Sequence, residues 1–316
     1  MIRDIILSNA MKVASKFTKN NKLAVLTYHQ VSDVNSMHNL LSLDVELFEQ
    51  HLVWLKRHFT VMDLNEAFHL MVTGNLPERA IVISIDDGYV DSYTTIFPLL
   101  QKHGLLASFF IATAGIDDGF LWDELVSSSI MSVPNSMTHI EFENQKISLT
   151  TYNEKLIAIA DIIKKIKYAS IKQRNVLIDE LLMQTGSSRC EQQFLSKEHI
   201  VTLHRANMCI GAHTVNHPIL ACESDEVAEQ EMLVSKQALE NIIGEQVNFL
   251  AYPNGKPSKD FNKVHQQQAK KCEFVAAFST EWGCSSNRDL FSLKRISLSD
   301  KSEFKFCMRI MLSYMS

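Results

Sequence analysis

Glycine and proline are scarce in this chain, 10 and 6 of 316 residues. Turn-dense all-β architectures use more of both, so long regular elements are expected. The six cysteines, at positions 190, 209, 222, 272, 284 and 307, include no C-x-x-C pair. That argues against a zinc ribbon or a disulfide framework and for reduced, mostly buried thiols. A basic excess is also missing. The formal net charge of −5 offers no field for a phosphate backbone, so no nucleic-acid partner is expected. No stretch is apolar over the length of a membrane span. The N-terminus has no apolar run of signal-peptide length, and Asp4 interrupts its basic start. We therefore expect a cytoplasmic protein. Residues 1–21 read as an amphipathic helix, with Ile2, Ile5, Ile6, Val13 and Phe17 near one face and Lys12, Lys16 and Lys19 elsewhere. Such a helix covers a domain or makes peripheral contact with the inner face of a membrane.

What is present is an alternation of strands and helices. Residues 22–28, 80–85 and 105–113 are apolar runs suited to buried strands, and a helix over about 92–103 ends at Gly104. Residues 44–58 read as a helix that Asp44 can cap. The rhythm breaks from about 116 to 195. There, alternation on both sides of Asn144-Gln145 suggests a hairpin, and two helical patterns cover about 153–168 and 171–185, with Gly186 as the stop. It returns with Ser196 as an N-cap, a strand ending at Ala212, a helix over about 225–243, a strand ending at Tyr252, a helix over 260–271 and a strand at 274–279. Strand–helix repetition of this kind builds a parallel sheet or barrel. At about 150 residues per domain, the length fits two small domains or one large barrel.

Three strand ends carry chemistry. Asp86-Asp87-Gly88 follows Ile83-Ser84-Ile85, placing two adjacent carboxylates where α/β proteins put functional groups; a solvated Asp-Gly turn is the plain alternative. His213 and His217 follow the next such strand, four residues apart, so that one helical turn would bring both imidazoles to one side. With a carboxylate they would make three protein ligands and an open position, the pattern of a catalytic zinc site. Two unrelated surface histidines are the alternative. Ala251-Tyr252-Pro253-Asn254-Gly255-Lys256 is the third, a turn able to aim a backbone N–H at a developing oxyanion.

Taken in order, Asp86-Asp87-Gly88-Tyr89, Gly211-Ala212-His213 through His217-Pro218, Tyr252-Pro253-Asn254-Gly255 and Leu293-Lys294-Arg295-Ile296 resemble the polysaccharide deacetylase family, the NodB-homology domain of carbohydrate esterase family 4. Leu26-Thr27-Tyr28-His29 is similar to the strand that opens many members. The resemblance covers roughly 22–115 and 195–298. It implies an α/β fold, a distorted (β/α)7-type barrel. Residues 22–316 would form that single domain, interrupted by a helical and hairpin insertion at about 116–195. It also implies Asp86 as catalytic base, Asp87, His213 and His217 as ligands of Zn2+ or another divalent first-row metal, and the backbone N–H of Asn254 as oxyanion donor. The implied activity is hydrolysis of the N-acetyl group of a sugar in a glycan or glycan precursor, in surface-polysaccharide synthesis.

Two departures matter. Many members carry an arginine two residues before Pro253, where this chain has Ala251. Arg295 is the candidate to orient the base in its place, with a surface salt bridge as the alternative. The family often supplies a late histidine as proton donor, but no histidine follows His265. His29, at the end of the first strand, is then the candidate, with a buried structural role equally open. These departures keep a second reading open, a weak or inactive glycan-binding barrel; a third, an O-acetyl esterase acting on a sugar, stays open because such a site reads the acyl group better than its carrier.

Overall fold

A computed structural model describes residues 21–32, 42–187 and 193–315 of the chain. The helix expected over 1–21 lies outside the described residues, Asn21 apart, as does Cys190. The core is a parallel seven-strand ring. Its strands are β1 (Ala24–Tyr28), β2 (Ala80–Ile85), β3 (Ser108–Ile111), β4 (Cys209–Ala212), β5 (Phe249–Ala251), β6 (Ala276–Trp282) and β7 (Leu293–Arg295), neighbours in that order. A bridge between Leu26 and Ile296 brings the last strand back to the first. Its bonds run from the Thr27 N–H to the Ile296 carbonyl (2.8 Å) and from the Ile296 N–H to the Val25 carbonyl (2.8 Å). This is the (β/α)7-type barrel.

The helices are α1 (Val45–His58), α2 (Leu64–Thr73), α3 (Phe97–His103), α4 (Ala114–Asp118), α5 (Trp122–Met131), α6 (Tyr152–Ile166), α7 (Ile171–Thr185), α8 (Lys197–Arg205), α9 (Asp225–Ile243), α10 (Lys263–Lys271) and α11 (Glu303–Ser313). Their limits follow local chemistry. Asp44, Ser196, Ser224 and Asn262 each accept a backbone N–H from the first turn of the helix that follows, and Gly104, Gly186 and Gly244 end helices in the left-handed region. Two limits differ from expectation. The last of the expected helices begins at Lys263 rather than 260, because Asn262 is its cap and Asp260 is engaged elsewhere, accepting from the Lys256 N–H. The segment before α3 is a π-helical turn, Ser92–Ile96.

Strand side chains alternate between two cores, as a period of two requires. Ala24, Leu26 and Tyr28, Ile81, Ile83 and Ile85, Phe109 and Ile111 pack outward against α1, α3, α8, α9 and α11. Leu23, Val25, Ala80, Val82, Phe110, Cys209, Phe249, Ala276, Phe278 and Leu293 fill the interior, where Leu64, Ala67 and Met71 of α2 join them at the N-terminal end of the strands. Each Val, Leu, Ile, Phe or Met side chain among them, fully buried, contributes about 1.5–3 kcal/mol. The interior set ends in polar residues at the opposite rim. Continuing its parity places Thr27 on β1 and His29 just after it, Ser84 on β2 and Asp86 just after it, His213 after β4 and Arg295 on β7 at one mouth. Thr27 and Ser84 meet there through their hydroxyls, 3.0 Å apart.

The insertion carries a hydrophobic cluster of its own, including Val126, Ile130, Ile140, Phe142, Ile159, Ile162, Ile178 and Leu181. Its hairpin pairs His139–Phe142 with Gln145–Ser148. The turn residues are Glu143 and Asn144, one position before the expected pair, both with positive φ (49° and 62°) as a two-residue hairpin turn demands. Cys209, Cys272, Cys284 and Cys307 are buried and unbridged, and Cys222 is half-buried. No helix among the described residues is long and apolar enough to cross a membrane.

Candidate active site and metal centre

The barrel mouth brings Asp86, Asp87, His213, His217 and Arg295 together. Asp86 continues β2, its N–H bonded to the Tyr28 carbonyl at 2.9 Å. The chain then turns sharply. Asp87 (φ 77°) and Gly88 (φ 97°) are left-handed, and a Cβ on residue 88 would lie 2.9 Å from the Ile111 side chain. This turn aims Asp87 across the mouth toward the loop after β4. That loop is not the helical turn that the histidine spacing suggested. Thr214 and His217 both adopt positive φ (67° and 51°). The loop instead folds back because Thr113 and Ala114 donate their N–H groups to the Thr214 and Val215 carbonyls (3.1 and 2.9 Å). Left-handed non-glycine residues are uncommon, and three of them, Asp87, Thr214 and His217, stand in these two loops, with Asn254 (φ 57°) in a third.

The resulting donor geometry is compact. Nε2 of His213 and Nε2 of His217 lie 3.2 Å apart, and each lies 3.4 Å from Oδ1 of Asp87. A tetrahedral ion with bonds of about 2.0–2.1 Å spaces its ligand atoms about 3.3 Å apart, so these three atoms match one face of such a coordination shell. His213 is also oriented as a ligand should be. Its Nδ1 donates to the Ala251 carbonyl at 2.7 Å, which leaves Nε2 with its lone pair toward the triad. Among the described residues this is the group of His, Cys, Asp and Glu side chains able to hold a metal.

Electrostatics sharpen the picture. Burial alone would raise the Asp87 carboxyl, but the His213 hydrogen bond and the charges of His217, His29 and His213 outweigh it and hold it below the usual carboxylate range. Burial pushes His217 down to about 3, with His213, Arg174 and His29 adding to the shift. Burial works against protonation of His213 as well, yet its bond to Asp87 and the Asp86 charge raise it.

Asp86 is paired rather than free. Arg295, 3% exposed, places one guanidinium nitrogen 2.8 Å from Oδ1 and 2.7 Å from Oδ2 of Asp86, while its Nε donates to the Ser279 carbonyl at 3.0 Å. The surface salt bridge weighed for Arg295 is therefore ruled out by burial. His29 stands half-buried at the end of β1, close enough to bear on the charge of Asp87. Asn254 lies on the same rim, three residues beyond the Ala251 carbonyl that His213 contacts, and its own carbonyl accepts from the Thr280 hydroxyl at 2.6 Å. Tyr28 and Tyr252 are core residues, the first bonded to His51 (3.0 Å), the second stacked on Phe261.

The insertion, silent in the sequence, adds a wall of charged groups. Asp123 lies within hydrogen-bonding reach of the Tyr89 hydroxyl (3.4 Å), and burial raises its carboxyl to about 6. Burial and the Asp123 charge raise Glu124 to about 8. On the barrel side, Asp91 accepts from the Val31 N–H at 2.6 Å and is raised by burial to about 6. Arg174 reaches the histidine loop from α7, donating to the Asn216 carbonyl at 2.8 Å and pointing to that of His217 at 3.4 Å. Helical periodicity could mark buried faces of α5 and α7, but it carried no sign of what those faces would meet.

Residues 73–277 match the model of the family described as polysaccharide deacetylase. The chain belongs to the polysaccharide deacetylase family. It is accordingly a hydrolase of carbon–nitrogen bonds of that family's type. The matched span leaves His29 and Arg295 outside it. A Bacillus subtilis relative, YxkH, named for the polysaccharide deacetylases, is 21% identical over 287 residues, 90% of this chain and 74% of its own length. The poly-β-1,6-N-acetyl-D-glucosamine N-deacetylase of Staphylococcus aureus is 28% identical over 116 residues, 33% of this chain and 40% of its own. The Streptococcus pyogenes deacetylase PplD, solved with acetate, superposes with a TM-score of 0.62 at 19% identity over 92% of this chain and 98% of its own. A de-N-acetylase from Aggregatibacter actinomycetemcomitans gives 0.60 at 17%, over 92% and 99%. At such identities the likeness is one of fold.

Proposed function

We propose that this polysaccharide deacetylase removes the N-acetyl group from an N-acetylated sugar of a glycan or glycan precursor in surface-polysaccharide synthesis. In this reading a divalent ion, Zn2+ first among the candidates, is held by Asp87, His213 and His217. The observation that carries it is the 3.2–3.4 Å triangle of donor atoms beside a carboxylate locked by arginine. When bound, such an ion supplies Lewis-acid polarisation of the acyl oxygen and eases deprotonation of water.

The chain's own residues do the rest. Asp86, held by Arg295, takes a proton from the attacking water as its oxygen bonds to the acyl carbon. The Asn254 N–H faces the charge that develops on the acyl oxygen. The carbon–nitrogen bond then breaks, His29 hands a proton to the departing amine, and acetate and a free amino sugar leave. The two carboxylates divide the work because one is tied to metal-binding histidines and the other to a guanidinium.

Acetate release from a panel of N-acetylated and O-acetylated oligosaccharides, with and without chelator, tests this. We expect release from an N-acetylated substrate, loss on chelation and return with Zn2+. Asp86→Asn should lower kcat by about 10²–10⁴-fold without changing metal stoichiometry. Release from O-acetylated sugars alone would make the protein an esterase. Binding of glycans with no release under any metal would make it a lectin-like barrel.

A further inference from the structure

The insertion makes its most specific contact with the back of the metal-binding loop. Arg174 of α7 is 2% exposed. Its guanidinium donates to the Asn216 carbonyl at 2.8 Å, points to the His217 carbonyl at 3.4 Å, and lies 4.7 Å from the centre of the Trp122 ring of α5. Across the loop, Glu231 of α9, 6% exposed, accepts the N–H groups of Val215 (3.0 Å) and Asn216 (2.7 Å) and the Asn216 side-chain amide (2.7 Å). The loop is thus gripped on both sides: its donors by a carboxylate from the barrel, its acceptors by a guanidinium from the insertion.

The base of that guanidinium is itself anchored to the barrel. The Ile171 N–H donates to Glu223 at 2.6 Å, just beyond the histidine loop. The Tyr168 hydroxyl donates to Asp260 at 3.3 Å, and Lys259 lies over the Tyr168 ring at 4.9 Å. Asp260 in turn organises the segment after Asn254 by accepting the Lys256 N–H at 3.0 Å. A buried guanidinium is costly unless its donors are satisfied, and here the acceptors that it finds are the carbonyls of the loop that presents His217.

We propose that Arg174 is a positioning residue. Through it the insertion fixes the His217 backbone, whose φ of 51° is unusual, and so sets Nε2 of His217 for the metal. The proposal rests on the metal-centre reading given above, and the test separates the two. Metal-free full-length protein is titrated with Co2+ and followed by calorimetry and by the visible spectrum of the bound ion. Wild type, His217→Ala, Arg174→Met, Arg174→Lys and Glu231→Gln are compared after circular dichroism and melting without metal.

Wild type should bind one equivalent and His217→Ala should lose it; equal binding by the two would sink the metal reading itself. Given that difference, Arg174→Met and Glu231→Gln should each bind about 10–100-fold more weakly, with an altered Co2+ spectrum. Arg174→Lys should fall between, since an ammonium lacks the planar fork that spans two carbonyls. Wild-type affinity and spectrum in folded Arg174→Met overturn the proposal while leaving the metal centre intact. Should that variant fail to fold, Arg174→Gln, which keeps one donor nitrogen, takes its place with the same two outcomes.

Discussion

Arg295 commits its guanidinium to Asp86 and the Ser279 carbonyl at 3% exposure, with the Phe110 ring 5.8 Å from its carbon centre. Removing the cation strands a buried carboxylate. Arg295→Met should cost about 3–5 kcal/mol in urea denaturation and abolish acetate release; an unchanged midpoint would show that Asp86 finds another partner. The identity of this residue was readable in the sequence, from its place in the last motif. Its burial was not, because a three-residue strand says nothing of the walls around it. The histidines show a similar division. Their spacing of four pointed to a shared ligand set, but the implied helical turn was wrong. The loop's shape comes from Thr113, Ala114, Arg174 and Glu231, which lie 15 to 101 residues from the loop residues they bond, out of reach of local pattern.

β4 packs closely beside β3, its parallel neighbour. A Cβ on Gly211 would lie 2.5 Å from a Phe110 ring atom and 3.3 Å from the Phe249 carbonyl. Phe110 cannot retreat freely, since it also packs on Phe278 (centroids 5.4 Å apart). Gly211→Ala should therefore destabilise the fold by about 1–3 kcal/mol, read from the thermal midpoint. A midpoint within error of wild type would mean that the two strands can part without loss. Most strands and helices were legible because burial period, caps and stop glycines coincide, as at Asp44, Ser196 and Gly186. The hairpin slipped by one because Glu143 takes a left-handed conformation that its side chain does not advertise. The charged face that α5 and α7 turn to the mouth was invisible for a different reason: amphipathicity marks a buried side, not its neighbour.

At the scale of the whole molecule, the barrel and the insertion close around a mouth that gathers Asp86, Asp87, Asp91, Asp123 and Glu124. Glu124, raised by burial and by Asp123 from an ordinary 4.5 to about 8, holds its proton more firmly folded than unfolded. Its contribution to stability is complete below about pH 4.5 and declines as pH rises toward 8. The metal-free Glu124→Gln variant should thus gain on wild type in melting temperature between pH 5 and pH 8. Parallel curves over that range would refute the assignment. The order of the chain adds a last consequence. All three donors of the metal triangle are present by residue 217, whereas the guanidinium that holds Asp86 arrives only with β7, beside the Leu26–Ile296 bridge that closes the ring. The triangle is still set by later residues, Glu231 and the Ala251 carbonyl, so the contact that readies Asp86 is the last of these that the order of the chain allows, made where the ring closes.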